Sequence, residues 1–224
     1  MSFHRQMTGK DEIILRRAAQ EVQQGQTINL GIGLPTMLPI FLPATIDVMF
    51  HAENGCLGMG KPVDNGTPDY PVIDAGGRAC HLVSGAACFD SVLSFTIVRG
   101  GRLDLVILGA FEVAINGDLA NWTIPGKSTP GMGGGMEVAQ KAKRVMVLSH
   151  HLDKNGRAKL AEKCSLPLTA PGCVDTLITE QAVFRRQNGR LTLVSLHPDT
   201  TLEIATSPFD FKVPVAQKLE TWRA

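Results

Sequence analysis

The apolar positions change their spacing several times along the chain, and each change marks a new element. Ile14, Ala18 and Val22 recur at helical spacing, Thr8 stands three residues before Asp11 as in a capping box, and Gly25 offers a stop. Together they predict a helix over about 10–24. TINLGIG (27–33) is a short apolar run ending in glycines, read as a strand and a turn. After Pro35 the run TMLPIFL predicts a brief helix interrupted at Pro39. Residues 46–50 predict a buried strand, and HAENGCLGMG, with its glycine breaks and no periodicity, reads as turns. Residues 61–80, rich in proline and glycine, read as an extended excursion. A helix is expected over 89–98, the clearest buried strand over 103–110, and short strand pieces on either side of an Asn116-Gly117 turn. A helix over 136–142 then precedes a second buried strand over 143–150, and 183–196 predicts a hairpin turning at Asn188-Gly189. Buried strands alternating with helices predict an α/β fold with a mostly parallel sheet trimmed by antiparallel hairpins. With no internal repeat, the 224 residues are read as a single domain.

Composition narrows the function. Hydrophobic residues at 44% against 19% charged suit a globular core and exclude a mainly disordered chain. Lys+Arg 22 against Asp+Glu 21, with no run of like charge, leaves no electrostatic footprint for nucleic acid or an anionic membrane. No apolar run is long enough to span a bilayer, and MSFHRQMTGKDE lacks the apolar stretch of a secretion signal. Five cysteines without a C-x-x-C pair are then expected to be reduced thiols in a cytoplasmic protein.

Several familiar motifs fail on inspection. NWTIPGKSTPG has Asn121 where a phosphate-binding loop needs glycine, and Pro125 and Pro130 obstruct the turn into a helix. His51-Ala52-Glu53 matches the H-x-E of zinc deaminases, but no P-C-x-x-C follows it. His150 and His151 would point to opposite faces of a strand, which suits a metal poorly. Thr36 and Met136 stand where dinucleotide fingerprints starting at Gly31 or Gly131 need their last glycine.

What remains is Glu53, a carboxylate at a strand end followed by Asn54, Gly55, Gly58 and Gly60. An ionised carboxylate against glycine-lined backbone can attack an acyl carbon if donors face the developing oxyanion. On its own an E-N-G triplet more often marks a surface turn with a solvated carboxylate, since motifs this short recur freely. PGMGGGM (130–136) adds four glycines whose backbone N–H groups can turn toward an oxyanion, and NLGIGLP (29–35) adds the amide of Asn29 at a strand end.

NLGIGLP, AENGCLGMG, SFTIVRGG, GDLANWTIPGK and PGMGGGM, in that order, resemble the β subunit of family I CoA-transferases, the 3-oxoacid group, over about 10–200. The resemblance is nearest to acetoacetate or butyrate CoA-transferases, with 3-oxoadipate CoA-transferase next. It implies a three-layer α/β fold shared with ribose-5-phosphate isomerases and glucosamine-6-phosphate deaminases, whose activities are the alternative reading. It also implies ping-pong transfer of CoA between an acyl-CoA and a free carboxylic acid, through a glutamyl-CoA thioester on Glu53. Asn29 and Gly134 would hold the thioester oxygen, and the loops carrying Gly31, Gly33, Gly131 and Gly133 would admit CoA. CoA would be a substrate, with no metal or other cofactor, and a separate α subunit, as αβ or α2β2, would complete the site. Where many of the family have serine before the glutamate this chain has Ala52, a change that bears on the hydrogen bonding of the carboxylate. Trp122 is expected to pack, and Arg99 and Lys127 to form ion pairs.

Overall fold

The computed structural model describes residues 7–63, 72–74, 77, 79–127 and 131–222. Helix α1, Gly9–Ala19, begins with the expected capping box. Thr8 Oγ1 accepts from the Asp11 amide at 3.2 Å, and the Thr8 amide donates to Asp11 Oδ2 at 2.9 Å. The helix ends at Gln20 and not near 24, because the amides of Glu21 and Val22 tighten onto the carbonyls of Ala18 and Ala19. Val22 is still buried, now as part of the turn. Gly25 (φ 77°) completes the reversal and donates to the Asp47 carbonyl.

The strands in chain order are β1 Thr27–Leu30, β2 Met49–Ala52, β3 Cys56–Pro62, β4 Cys80–Cys88, β5 Leu105–Gly109, β6 Glu112–Ala114 and β7 Leu119–Ala120. They continue as β8 Val145–Leu148, β9 Leu160–Ala161, β10 Thr176–Ile178, β11 Ala182–Gln187, β12 Arg190–Leu196 and β13 Val215–Thr221. The remaining helices are α2 Ser91–Arg99, α3 Gly135–Lys141 and α4 Leu202–Thr206, and Leu34–Ile40 is a 3₁₀ segment carrying Pro39 inside it. Ten strands form one sheet in the order β13-β12-β11-β10-β8-β5-β1-β2-β3-β4. The central run β10-β8-β5-β1-β2 is parallel, and the hairpins β11–β12 and β2–β3 bring antiparallel pairing on either side. A second sheet orders as β7-β6-β9.

Along the central strands, alternate residues enter two separate cores. Val106, Leu108, Val145, Val147 and Leu177 meet Val98 of α2 and Val138 of α3 on one face. Leu105, Ile107, Met146, Leu148 and Ile178 meet Ile14, Leu15 and Ala18 of α1 on the other. Burial on both faces is why these strands read as continuous apolar runs, and it gives the three layers that the resemblance implies. From β1 the chain moves outward to β2, whereas β5, β8 and β10 build away on the other side. The carboxyl ends of β1, β2 and β5 therefore border a topological switch point, where α/β sheets place their ligands.

Two further expectations need correction. The strand predicted at 46–50 is β2 at Met49–Ala52, because its pairing begins at Thr27↔Met49 and β1 offers no earlier partner. The stretch read as continuous turn is a turn only at 53–55, and Cys56–Pro62 is strand β3. Its glycines serve cross-strand packing, since a Cβ on Gly58 would lie 2.8 Å from the Ala86 Cβ. The apolar pattern does not predict strand β4, because most of its residues are exposed and carry no alternation. The excursion expected at 61–80 falls mostly outside the described residues. The Asn188-Gly189 turn stands as predicted, with φ of 51° and 78°, the paired positive angles of a two-residue hairpin loop.

Candidate active site

Glu53 sits at the tip of the β2–β3 hairpin, held there by backbone geometry. Gly55 donates to the Ala52 carbonyl at 3.0 Å, and the Phe89 amide donates to the Gly55 carbonyl at 2.9 Å. Gly55 has φ 116°, and a Cβ there would collide with the Phe89 carbonyl oxygen. Only glycine fits a backbone that both adopts positive φ and presses on a neighbouring chain segment. The third letter of E-N-G thus fixes where the first one points.

Register brings the partner. Asn29 of β1 pairs with His51 of β2, so its buried side chain lies beside the strand end that carries Glu53. Its Nδ2 donates to Glu53 Oε2 at 3.0 Å and to the His51 carbonyl at 3.2 Å, and it stands 3.3 Å from His51 Nδ1. The His51 Nε2 lies 3.0 Å from Ser94 Oγ of α2, and Ser94 Oγ donates to the Ala52 carbonyl at 3.3 Å. His51 has no exposed surface and stacks on Phe89. Burial lowers its pKa below the usual imidazole range, against the opposing pull of the Glu53 charge, so the ring is neutral at physiological pH. Ala52 is buried and carries no hydroxyl, and Asn29 is the side-chain donor to Glu53 among the described residues.

Gly134 comes from another segment of the chain, as the residue that caps the start of α3. A Cβ on it would stand 3.0 Å from Phe95 Cζ and 3.2 Å from Glu53 Cγ, so its backbone packs directly on the Glu53 side chain. Its φ of −80° is open to any residue, and what a side chain would meet here is crowding by Phe95 and Glu53. Glu137 on α3 accepts from Arg99 Nη2 on α2 at 2.8 Å, tying together the two helices that flank this contact. Gly33, Gly131 and Gly133 have positive φ and face open space. Gly31 does not, because the room a side chain would need is filled by Leu108 of β5, and the Gly31 amide bonds to the Ile107 carbonyl at 2.8 Å.

The other singled-out residues serve the frame. Asn121 Nδ2 donates to the Gly109 carbonyl at the end of β5, and Trp122 Nε1 donates to the Leu168 carbonyl. Arg99 is ion-paired as expected, but no ion pair holds Lys127 among the described residues, where it lies exposed. His150 and His151 diverge. The first bonds Asp11, while the second is buried between Thr179 Oγ1 and the Ala205 carbonyl. Among the described residues no group of three or more metal-ligating side chains is arranged around a common point, and no helix is long and apolar enough to cross a membrane. Sequence reading missed Ser94, Phe95 and the part His51 plays. The H-x-E spacing did single out His51, but as a metal ligand.

The result is an α/β protein with a carboxylate at the switch point of its sheet, gripped by an amide and backed by a glycine loop. The chain belongs to the coenzyme A transferase family, whose profile matches residues 12–205. It is 49% identical over 195 residues to a probable coenzyme A transferase β subunit of Bacillus subtilis, covering 87% of this chain and 90% of that one. It is 47% identical over 190 residues to one subunit of a probable succinyl-CoA:3-ketoacid coenzyme A transferase of the same organism, covering 85% and 88%. In fold it resembles an acyl-CoA transferase apoenzyme from Escherichia coli O157:H7, with a TM-score of 0.79 at 20% identity. That alignment covers 99% of this chain but 45% of the longer one, so the chain spans less than half of it.

Proposed function

We propose that this chain is the β subunit of a 3-oxoacid CoA-transferase that carries CoA on Glu53. The observation that carries the reading is the contact of Glu53 Oε2 with Asn29 Nδ2 at 3.0 Å, on a carboxylate backed by Gly134. In the first step a Glu53 oxygen attacks the thioester carbon of an acyl-CoA and the C–S bond breaks, giving an acyl-glutamyl anhydride and CoA thiolate. The thiolate then attacks the glutamyl carbonyl and the acyl group leaves as its carboxylate, so Glu53 holds CoA as a thioester. An incoming carboxylate runs the same steps backwards, and the thioester's energy is conserved in the enzyme instead of being lost to water. Asn29 Nδ2 and the Gly134 N–H supply hydrogen bonds to the oxygen that gains charge as each carbonyl becomes tetrahedral. The loops of Gly33, Gly131 and Gly133 give CoA its approach.

The names of the relatives support a 3-oxo acid as one substrate, and the loop motifs favour acetoacetate or butyrate ahead of 3-oxoadipate. The same names support a partner α subunit, in an αβ or α2β2 assembly. The described site fits that division, because Glu53 is only half-buried in this chain. No metal or redox cofactor enters these steps.

The test is a covalent one. Incubation of the assembled enzyme with acyl-CoA is expected to leave a CoA adduct on the peptide containing Glu53, detected by mass spectrometry. Glu53→Gln is expected to lose the adduct and transfer while folding normally. Full turnover by that variant, with deamidation excluded, overturns the proposal.

A further inference from the structure

Asn29 Nδ2 has two protons and three acceptors within reach. Glu53 Oε2 is the nearest at 3.0 Å and takes one proton, while the His51 carbonyl and Nδ1, at 3.2 and 3.3 Å, share the other. This geometry dictates the protonation of the imidazole. A proton on Nδ1 would face the Asn29 N–H groups donor to donor, so Nδ1 must present its lone pair, and a neutral ring then carries its proton on Nε2. The direction of the remaining bonds follows. Nε2–H donates to Ser94 Oγ at 3.0 Å, and the Ser94 hydroxyl donates its own proton to the Ala52 carbonyl. The chain of bonds therefore runs from Glu53 through Asn29, His51 and Ser94 back to the residue before Glu53.

We propose that His51 is a positioning residue, holding the Asn29 amide against Glu53 and anchoring that amide to α2 through Ser94. This deepens the function proposed above and rests on it for its kinetic consequence, but not for its structural one. Three elements meet at the ring: Asn29 comes from β1, Ser94 from α2, and His51 lies on β2, one residue back from the strand's end. A fully buried ring needs a partner for each polar atom, and both nitrogens of His51 have one within the protein. Glu53 is the charged group that faces it, and Phe89 stacks on the ring from the segment leading into α2. An amide held from behind can meet a developing oxyanion without reorganising, which is how a residue that touches no substrate affects the rate.

The experiment has a spectroscopic and a kinetic arm, both on the assembled enzyme. Nitrogen-15 NMR of the labelled imidazole is expected to show His51 as the Nε2–H tautomer. An Nδ1–H tautomer overturns the proposal whatever the kinetics. His51→Leu removes both polar contacts and is expected to lower kcat by about tenfold to a hundredfold, the range seen when partners behind a site's ligands are removed, with KM for acyl-CoA little changed. His51→Asn puts a carbonyl oxygen where Nδ1 was, and is expected to recover most of the loss. Wild-type kcat in His51→Leu, or equal damage in both variants, also overturns it. Should Glu53→Gln prove fully active, the covalent mechanism falls, but the tautomer measurement still decides whether His51 holds Asn29.

Discussion

Asn29 is the residue whose meaning changed most between chain and fold. In sequence its amide ends a strand and suits a turn or a cap as well as an oxyanion pocket. Parallel pairing with His51 puts it within 3.0 Å of Glu53. Removing one oxyanion donor costs roughly a hundredfold to a thousandfold in rate, about 3 to 4 kcal/mol. Asn29→Ala is therefore expected to lower kcat on that scale with little change in KM, because the interaction strengthens only as the carbonyl becomes tetrahedral. Single-turnover measurement of formation and discharge of the glutamyl-CoA intermediate checks this. Wild-type rates in both half-reactions would reduce Asn29 to a strand-end residue. Glu53 itself was legible because the glycine two residues on marks its turn. His51 was not, since a lone histidine in a strand carries no sign of which neighbours its nitrogens will meet.

Among the elements, the glycine loop leading into α3 shows how spacing and sterics divide the work. Gly131 (φ 98°) and Gly133 (φ 54°) are glycines for their backbone angles. At Gly134 a side chain would crowd Phe95 and Glu53, which would have to give by a few tenths of an ångström. Gly134→Ala is accordingly expected to fold but to displace Glu53, lowering kcat without loss of secondary structure by circular dichroism. Adding Phe95→Leu, which gives the new methyl group room on one side, is expected to restore part of the rate. If the double variant is no better than the single one, the obstruction is not the one seen here. The hairpin below it was only half legible. The turn at Asn54-Gly55 was plain, but the strand after it was hidden by glycines that serve packing against β4 and not turning. Likewise α1 shows its start in Thr8 and Asp11, whereas its end is set by a tightened turn that the apolar spacing does not reveal.

For the whole molecule, buried titratable groups set the response to acid. Burial lowers the pKa of His51 and His151 below their ordinary 6.5. An unfolded chain therefore takes up protons below pH 6.5 that the folded one refuses, and stability declines from that point as pH falls. Glu21 and Glu180 act lower on the scale. Burial would raise them, but Arg17 and Arg185 beside Glu21, and the His151 amide and Lys10 beside Glu180, outweigh it and leave both below 4.5. Their stabilisation is complete above 4.5 and is lost as pH falls through the lowered values. Urea midpoints are thus expected to be level from pH 6.5 to about 8, short of the ordinary thiol range, to decline between 6.5 and 4.5, and to fall further below that. A level midpoint through the upper window would contradict the burial of the two imidazoles. The same charges join distant parts of the chain, with Glu21 after α1 held by Arg17 in the helix at 2.7 Å and by Arg185 in β11 at 2.6 Å.

By itself the sequence determined what is local or periodic. The capping box, the Asn188-Gly189 hairpin, the doubly buried strands over 103–110 and 143–150, and the turn carrying Glu53 each follow from side-chain chemistry within a few residues. The family was legible too, because its loops keep their order along the chain. Tertiary structure alone decided what depends on register and on contacts across the fold. It placed the amide of Asn29 on Glu53 across 24 residues, linked His51 to Ser94 across 43, and pressed Gly134 against both Phe95 and Glu53. The reason is physical: a hydrogen bond between strands is fixed by which residue lies opposite, and a one-residue slip would turn each of these strand side chains to the other face.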